Sequence, residues 1–295
     1  VEFGKVSNPS GLDLSLKKPS FYSPELNLNK PKWHLGCPIW NHTKLIQKIR
    51  TQEDRGKSAL EIYSKNFNSI ELNSSYYSVP SSEQIKKWRA QTPPDFKFFP
   101  KAPKDLCFYA QEKVDAKTLN FYLKSLQDFG GQCGESFIQF SPYIGPPQKK
   151  YLFNFLEALP RDFNFSIELR HEDWFNTPTL LNNLCTYLNK KNIGLVITDT
   201  PGRRDVLHMH FPVNRAFVRF KGHNSHPSDQ KRLQAWVEIF KDSAKFKDVF
   251  FFHHHSDEEH CFESIKVMTE LIGDFSANTL KALKDQTVSD QISLL

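Results

Sequence analysis

Along this chain, short runs of apolar and aromatic residues alternate with segments in which apolar positions recur every three or four residues. Eight runs read as strands: Trp33–Cys37, Ser69–Tyr76, Phe96–Lys101, Phe137–Ser141, Phe165–Arg170, Gly194–Thr200, Ala216–Lys221 and Val249–His254. Most are rich in Phe, Ile and Val, as expected of parallel strands covered on both faces. Between them, one apolar stripe at i, i+3, i+4 and i+7 recurs four times. It runs through Leu119/Tyr122/Leu123/Leu126, Leu152/Phe155/Leu156/Leu159, Leu181/Leu184/Cys185/Leu188 and Leu233/Trp236/Val237/Phe240, each predicting a helix with one buried face.

Boundary residues agree with that spacing. Thr177-Pro178 offers an N-cap followed by proline in the first turn, and Ser81/Gln84 and Ser256/Glu259 have capping-box spacing. Gly130 follows the Leu119 stripe as a stop. Alternation of eight strands with helices predicts an α/β fold of the (β/α)₈, TIM-barrel-like type. After strand six, Pro201 to Asn214 carries no helical stripe, so a loop is expected to replace the helix there. The competing doubly wound sheet has no G-x-G-x-x-G and no P-loop to support it. Residues 1–31 read as an N-terminal arm, 32–275 as a single barrel-like domain and 276–295 as a C-terminal helix or tail.

Composition adds limits. The 295 residues are 39% hydrophobic and include 26 Phe, enough for a large core built from rings. The formal charge of +6 comes from Lys and Arg dispersed among acidic residues, not from a basic run. The excess is compatible with attracting small anionic molecules, although a solvated surface accounts for most of it, and a nucleic-acid binder would show a concentrated stripe. Five separated cysteines without a C-x-x-C point to a reducing, cytoplasmic setting rather than a disulfide framework or structural zinc site. The polar, proline-containing N-terminal stretch lacks a secretory apolar core, and no run of about 18 apolar residues suggests a membrane span.

In barrels of this kind the strand C-termini carry the chemistry, and here nearly every strand ends in polar residues. Strand two supplies Glu71, Asn73 and Tyr76, strand three Lys101, and strand four Gln139 and Ser141. Strand five supplies Glu168 and Arg170, with His171 and Trp174 beyond it. Strand six ends at Asp199, strand seven at Arg219 and Lys221, and strand eight at His253, His254 and His255. Glu71, Glu168, Lys101 and Asp199 are the candidate catalytic groups. Asn73, Tyr76, Gln139, Arg170, His171, Trp174, Arg219, Lys221, His253 and His254 are the candidate substrate-binding groups. A carboxylate raised by burial and lowered again by neighbouring cations can exchange protons near neutrality, while Lys and Arg hold a phosphate or carboxylate. The same charges can equally plug the barrel as a salt-bridged layer. Strand alternation places His253 and His255 on one face and His254 on the other. A divalent metal on these histidines with Glu71, Glu168 or Asp199 is the competing cofactor reading, not the favoured one, since no diagnostic ligand motif is present. His208-Met209-His210 falls in a loop, and Cys37 alone reads as packing.

Taken in order, these residues resemble a known family, the YecE-like proteins defined as domain of unknown function 72. The resemblance runs from about Leu35 to Ile272. It rests on Gly36 with Trp40, on Phe67-Asn68-Ser69-Ile70-Glu71-Leu72-Asn73-Ser74-Ser75-Tyr76-Tyr77 with Pro80, and on Trp88, Thr92-Pro93 and Lys101-Ala102-Pro103. It continues through Gln139-Phe140-Ser141-Pro142, Ile167-Glu168-Leu169-Arg170-His171 with Trp174, Asp199-Thr200-Pro201-Gly202 and Val218-Arg219-Phe220-Lys221-Gly222. It implies a TIM-barrel-like fold and supplies no reaction. Two departures stand out. Similar proteins follow Lys-x-Pro with Thr-His where this chain has Leu106-Cys107-Phe108, and they end the last strand in Phe-Asn-Asn where this chain has Phe252-His253-His254.

Three functions follow, in order of preference. The first is an enzyme acting on a small polar, anionic or sugar-like substrate through carboxylate acid/base chemistry. The second is a metal-assisted hydrolase or isomerase using His253–His255. The third is a non-catalytic binder of nucleic acid or another anionic ligand.

Overall fold

A computed structural model describes residues 4–24, 27, 29–107, 114–281 and 283. In chain order the elements begin with β1 (Ser20–Phe21), β2 (Lys32–Gly36), α1 (Thr43–Ile49), α2 (Ala59–Asn66), β3 (Ser69–Leu72), α3 (Ser82–Ala90) and β4 (Lys97–Pro100). There follow α4 (Lys104–Cys107), α5 (Ala116–Phe129), β5 (Ser136–Gln139), α6 (Lys149–Ala158), β6 (Phe165–Glu168) and α7 (Pro178–Lys191). The last are β7 (Ile193–Leu195), β8 (Ile197–Asp199), β9 (His210–Phe211), β10 (Arg215–Lys221), α8 (Pro227–Lys241), β11 (Asp248–His254) and α9 (His260–Ile272).

The four striped segments are helices, and most of each stripe is buried: Leu119, Tyr122 and Leu126 in α5, Leu152, Phe155 and Leu156 in α6, Leu181, Leu184, Cys185 and Leu188 in α7, and Leu233, Trp236, Val237 and Phe240 in α8, while Leu123 is partly buried and Leu159, also partly buried, follows the end of α6. The Ser81 hydroxyl accepts from Gln84 N–H at the start of α3, and Gly130 ends α5 at φ 52°, a left-handed angle that favours glycine. The expected box at Ser256 does not form. The first helical residue of α9 is His260, so Ser256 lies outside its first turn. Between β8 and β10 the chain makes a 3₁₀ turn (Arg204–Val206) and the two-residue β9, with no α-helix, as the missing stripe predicted.

Every strand pair is parallel. β2–β11–β10–β8 form one sheet, β5–β6–β7 a second, β3–β4 a third, and β1 pairs separately with β9. The result is a mixed α/β fold of parallel sheets, and the ladders of the described residues do not close into the continuous barrel expected from the sequence. Two expected strands are interrupted. The run from Ser69 stops at Leu72 and turns into a 3₁₀ helix over Asn73–Tyr76, and strand six breaks at Val196 into β7 and β8. Single contacts join the sheets: Glu71 N–H donates to Cys37 O at 3.1 Å, and lone parallel bridges link Phe98 with Cys133 and Lys101 with Phe137.

Gly36 sets the approach of β2 to β3. A Cβ there would lie 2.1 Å from the Ser69 carbonyl oxygen, a backbone atom that cannot move aside cheaply. Gly36→Ala is therefore expected to drive the two strands apart and leave little soluble protein, measurable as soluble yield and thermal midpoint against wild type.

Inside the sheets, Phe99, Phe137, Val196, Phe217, Phe250 and Phe252 pack as a layer of rings, with centroids of neighbouring rings about 5 to 6 Å apart. Two larger clusters fill the space between strands and helices. The N-terminal segment lies against the edge near β8. Gly4 O accepts from Thr200 Oγ1 and from Gly202 N–H, and the Leu14 and Ser15 carbonyls accept from Arg204. Beyond α9, Asn278 caps Trp33 through both N–H and C=O. The rest of the expected C-terminal helix or tail, from 284 on, falls outside the described residues, as does Phe108.

Candidate functional site

The register of the strands brings charged residues from distant parts of the chain to one place. Arg219 lies opposite Thr198 on β8 and Phe252 on β11. Its guanidinium grips Glu71 with two parallel bonds (Nε to Oε2, 2.9 Å; Nη2 to Oε1, 2.8 Å), and its Nη1 donates to Glu168 Oε2 at 2.8 Å. One arginine from β10 thus joins the last inward carboxylates of β3 and β6.

Around this core the remaining lone pairs are filled. Asn73 Nδ2 donates to Glu71 Oε1 (2.8 Å), and His254 Nε2 lies 3.1 Å from Glu71 Oε2. Glu168 accepts from Gln139 Nε2 (2.7 Å), Arg170 Nε (2.8 Å) and Thr198 Oγ1 (2.9 Å). Lys101 Nζ donates to Gln139 Oε1 at 3.0 Å and sits 4.0 Å from the centroid of the Tyr76 ring. The Arg219 guanidinium carbon lies 5.3 Å from the Phe137 ring centroid, so the polar network rests directly on the aromatic layer.

Electrostatics follow from burial and pairing. Glu71 and Glu168 are 0% and 1% exposed. Burial pushes both carboxyls up, but Arg219 and His254 beside Glu71, and Arg170 and Arg219 beside Glu168, outweigh it and hold both well below the usual carboxylate range. Neither exchanges protons near neutrality, contrary to the balance expected from the sequence. Lys101 behaves differently. Burial, with Arg219 nearby, lowers its ammonium to about 8, only partly opposed by Glu168 and Glu71. Lys101, Arg170 and Arg219 face Glu71 and Glu168, with the Glu258 carboxyl within electrostatic reach of Glu71 and His254. The side chains of Arg170 and His254 are each 19% exposed at the mouth.

Of the residues expected here, Glu71, Glu168, Lys101, Asn73, Tyr76, Gln139, Arg170, Arg219 and His254 come together. Others do not. Asp199, next to inward Thr198, points to the opposite face, where it accepts from Arg204 Nη1 (2.5 Å), Arg232 Nη1 (3.0 Å) and Trp236 Nε1 (2.9 Å). Alternation along β8 makes it an anchor for α8 and the Arg204 loop, not a partner of Glu71. Trp174 is fully buried and donates to Ile144 O, so it packs rather than stacks on a ligand. His171 caps its own 3₁₀ turn by accepting from Asp173 N–H. Lys221 is half-buried at the end of β10, and its carbonyl receives Arg232 Nη2.

His253 and His255 face away from His254, as alternation requires. His253 bonds Ser264 Oγ on α9 and packs on Phe220 and Phe251, and His255 Nδ1 accepts from Asn224 N–H. Burial lowers both imidazoles, His255 to about 3. The run therefore splits across the sheet, and among the described residues no three His, Cys, Asp or Glu side chains are grouped to hold a metal ion. This geometry removes the His253–His255 metal centre. Sequence reasoning missed Thr198, whose neighbour Asp199 carried the charge. Its signal was available, since it shares parity with the inward side of strand six.

These features define a class: a parallel α/β protein with a buried, arginine-bridged pair of glutamates and a lysine of lowered basicity at the strand ends. A family model described as "Protein of unknown function DUF72" matches residues 34–287, and the chain belongs to that family. It is similar to the UPF0759 protein YecE of Escherichia coli K12, at 24% identity over 255 residues covering 80% of this chain and 91% of that one. It is also similar to the UPF0759 protein YunF of Bacillus subtilis 168, at 20% identity over 269 residues covering 81% and 94%. Two solved structures share the fold. A DUF72 family protein (EF0366) of Enterococcus faecalis V583 has a TM-score of 0.66 at 18% identity, covering 86% of this chain and all of that one. A second (TM1631), of Thermotoga maritima MSB8, has a TM-score of 0.66 at 17% identity, covering 82% and 100%. No helix among the described residues is long and apolar enough to cross a membrane.

Proposed function

We propose that this chain is an enzyme acting on a small polar, anionic or sugar-like substrate, with Lys101 as the proton-transfer group. The observation that carries this reading is the pairing at the mouth. Both arginines are committed to carboxylates, whereas the Lys101 ammonium donates to an amide oxygen and lies over a ring. Burial destabilises an ammonium that has no carboxylate bonded to it, and Lys101 is lowered to about 8, within reach of proton exchange near neutrality. Glu71 and Glu168 then serve to fix Arg219, and Arg170 and His254 to meet the substrate's negative charge.

The same reading treats residues 32–275 as one barrel-like domain whose sheets act as a single ring, with 1–31 as an arm and 276–295 as a tail. Supporting it is the reach of Arg219, which touches β3 and β6 at once from β10, and the single contacts that join neighbouring sheets.

Lys101 provides the test. Reductive methylation followed by peptide mass spectrometry across pH should show its amine reacting with a midpoint near 8, against ordinary lysines above 10. Turnover screened over sugar acids, sugar phosphates and small carboxylic acids should disappear in Lys101→Met while the circular dichroism spectrum is kept. A Lys101 midpoint above 10, or turnover retained in the Met variant, would sink the assignment.

A further inference from the structure

Two tyrosines, in the segments that follow β3 and β5, carry large rings almost wholly in the open. Tyr77 is 84% exposed and Tyr143 79%. Each is tied by a short path to Lys101. The Tyr77 ring meets the Tyr76 ring edge-on at 5.2 Å, and the Tyr76 ring carries Lys101 Nζ. Tyr143 N–H donates to Ser141 Oγ, two residues beyond Gln139, the acceptor of the Lys101 ammonium. β3 pairs with β4, and Lys101, directly after β4, bridges to Phe137 on β5. The two rings therefore rise from the loops on either side of the strand that ends in Lys101.

We infer that Tyr77 and Tyr143 form a stacking rim for the ring of an acidic sugar, a pyranose bearing a carboxylate or phosphate, whose anionic group meets Arg170 and His254 beside Lys101. This rests on the reading of Lys101 as the proton-transfer group with Arg170 and His254 receiving the negative charge. Three properties of the rim and mouth match such a ligand. Aromatic faces take the C–H face of a pyranose. Arg170 and His254, partly exposed at the strand ends, take the acid. The mouth groups Asn73, Thr198 and His254 offer hydrogen-bonding partners to hydroxyls. A purely aromatic acid would leave those polar groups facing carbon.

Calorimetric titration with D-glucuronate and with glucose 6-phosphate tests the inference, with glucose, inorganic phosphate and AMP as comparison ligands. Both acidic sugars should bind more tightly than glucose or inorganic phosphate. Tyr77→Ala should weaken them by about tenfold, as expected for loss of one aromatic contact, and Tyr77→Phe, which keeps the ring, should restore them. Tyr143→Ala should weaken them in the same direction.

Binding that is lost in Lys101→Met but unchanged in both tyrosine variants would overturn the stacking rim and leave the Lys101 reading intact. Binding of AMP or inorganic phosphate at least as tight as that of the acidic sugars would overturn the sugar assignment. Absence of binding by either acidic sugar would also overturn it, with the Lys101 amine titration deciding separately whether the underlying site stands.

Discussion

Arg219→Met is expected to lower the free energy of unfolding by about 3–5 kcal/mol at neutral pH, because it leaves two buried carboxylates without their shared cation. The cause is geometric. Glu71 and Glu168 are buried, and Arg219 supplies three hydrogen bonds between them. The pH dependence separates this mechanism from simple loss of packing. In the native protein both carboxyls are held below their unfolded value of about 4.3. Their contribution is thus fully present above that value and fades as pH falls through the lower, folded one. Without Arg219, Glu168 keeps Arg170 and Glu71 keeps only His254, so burial is opposed less and both carboxyls rise from their wild-type values, Glu71 the more. The deficit should then shrink as pH drops and protons neutralise the pair. Urea midpoints of both proteins between pH 4 and 8 measure this, and a deficit constant over that range would show that packing, not charge, is responsible.

The second large effect is expected at Asp199. Asp199→Ala removes the acceptor shared by Arg204, Arg232 and Trp236, and Arg232 is only 2% exposed. Arg232 keeps the Asp229 carboxylate at 2.9 Å, but the buried Trp236 N–H and Arg204 lose their acceptor, which should cost about 1–3 kcal/mol. Arg204 also holds the carbonyls of Leu14 and Ser15. Limited proteolysis should therefore cut near residues 10–16 faster in the variant than in wild type. A group that only performed chemistry would leave stability and cleavage unchanged when removed, so this pair of measurements decides the role of Asp199.

What was legible beforehand follows a physical rule. Period-two alternation predicted that Glu168 and Arg170 share a face, and Arg170 bonds Glu168; it also separated His254 from His253 and His255. The apolar stripes gave the helices because burial alone sets that spacing. Closure of the strands was not readable. It depends on whether neighbouring four-residue strands continue their ladders; within the run Ser69–Tyr76 the turn at Asn73 did have a local signal, the turn-prone Asn73-Ser74-Ser75 cluster, which the apolar and aromatic residues around it masked. Asp199 was misplaced because charge at a strand end was weighed above parity, and the break at Val196 obscured the phase. Trp174 was misplaced because its donor finds a carbonyl inside the protein, which composition cannot reveal. The ionisation of the glutamates was out of reach for the same reason, since it depends on three arginine bonds closing at once.

The layer formed by Phe99, Phe137, Phe217, Phe250 and Phe252 limits what Arg219 can bond. Rings offer Arg219 contact with carbon on that side, and its acceptors are the Glu71 and Glu168 carboxylates. Exchanging one of these rings for a polar side chain would hand the guanidinium a rival acceptor and loosen its hold on the pair.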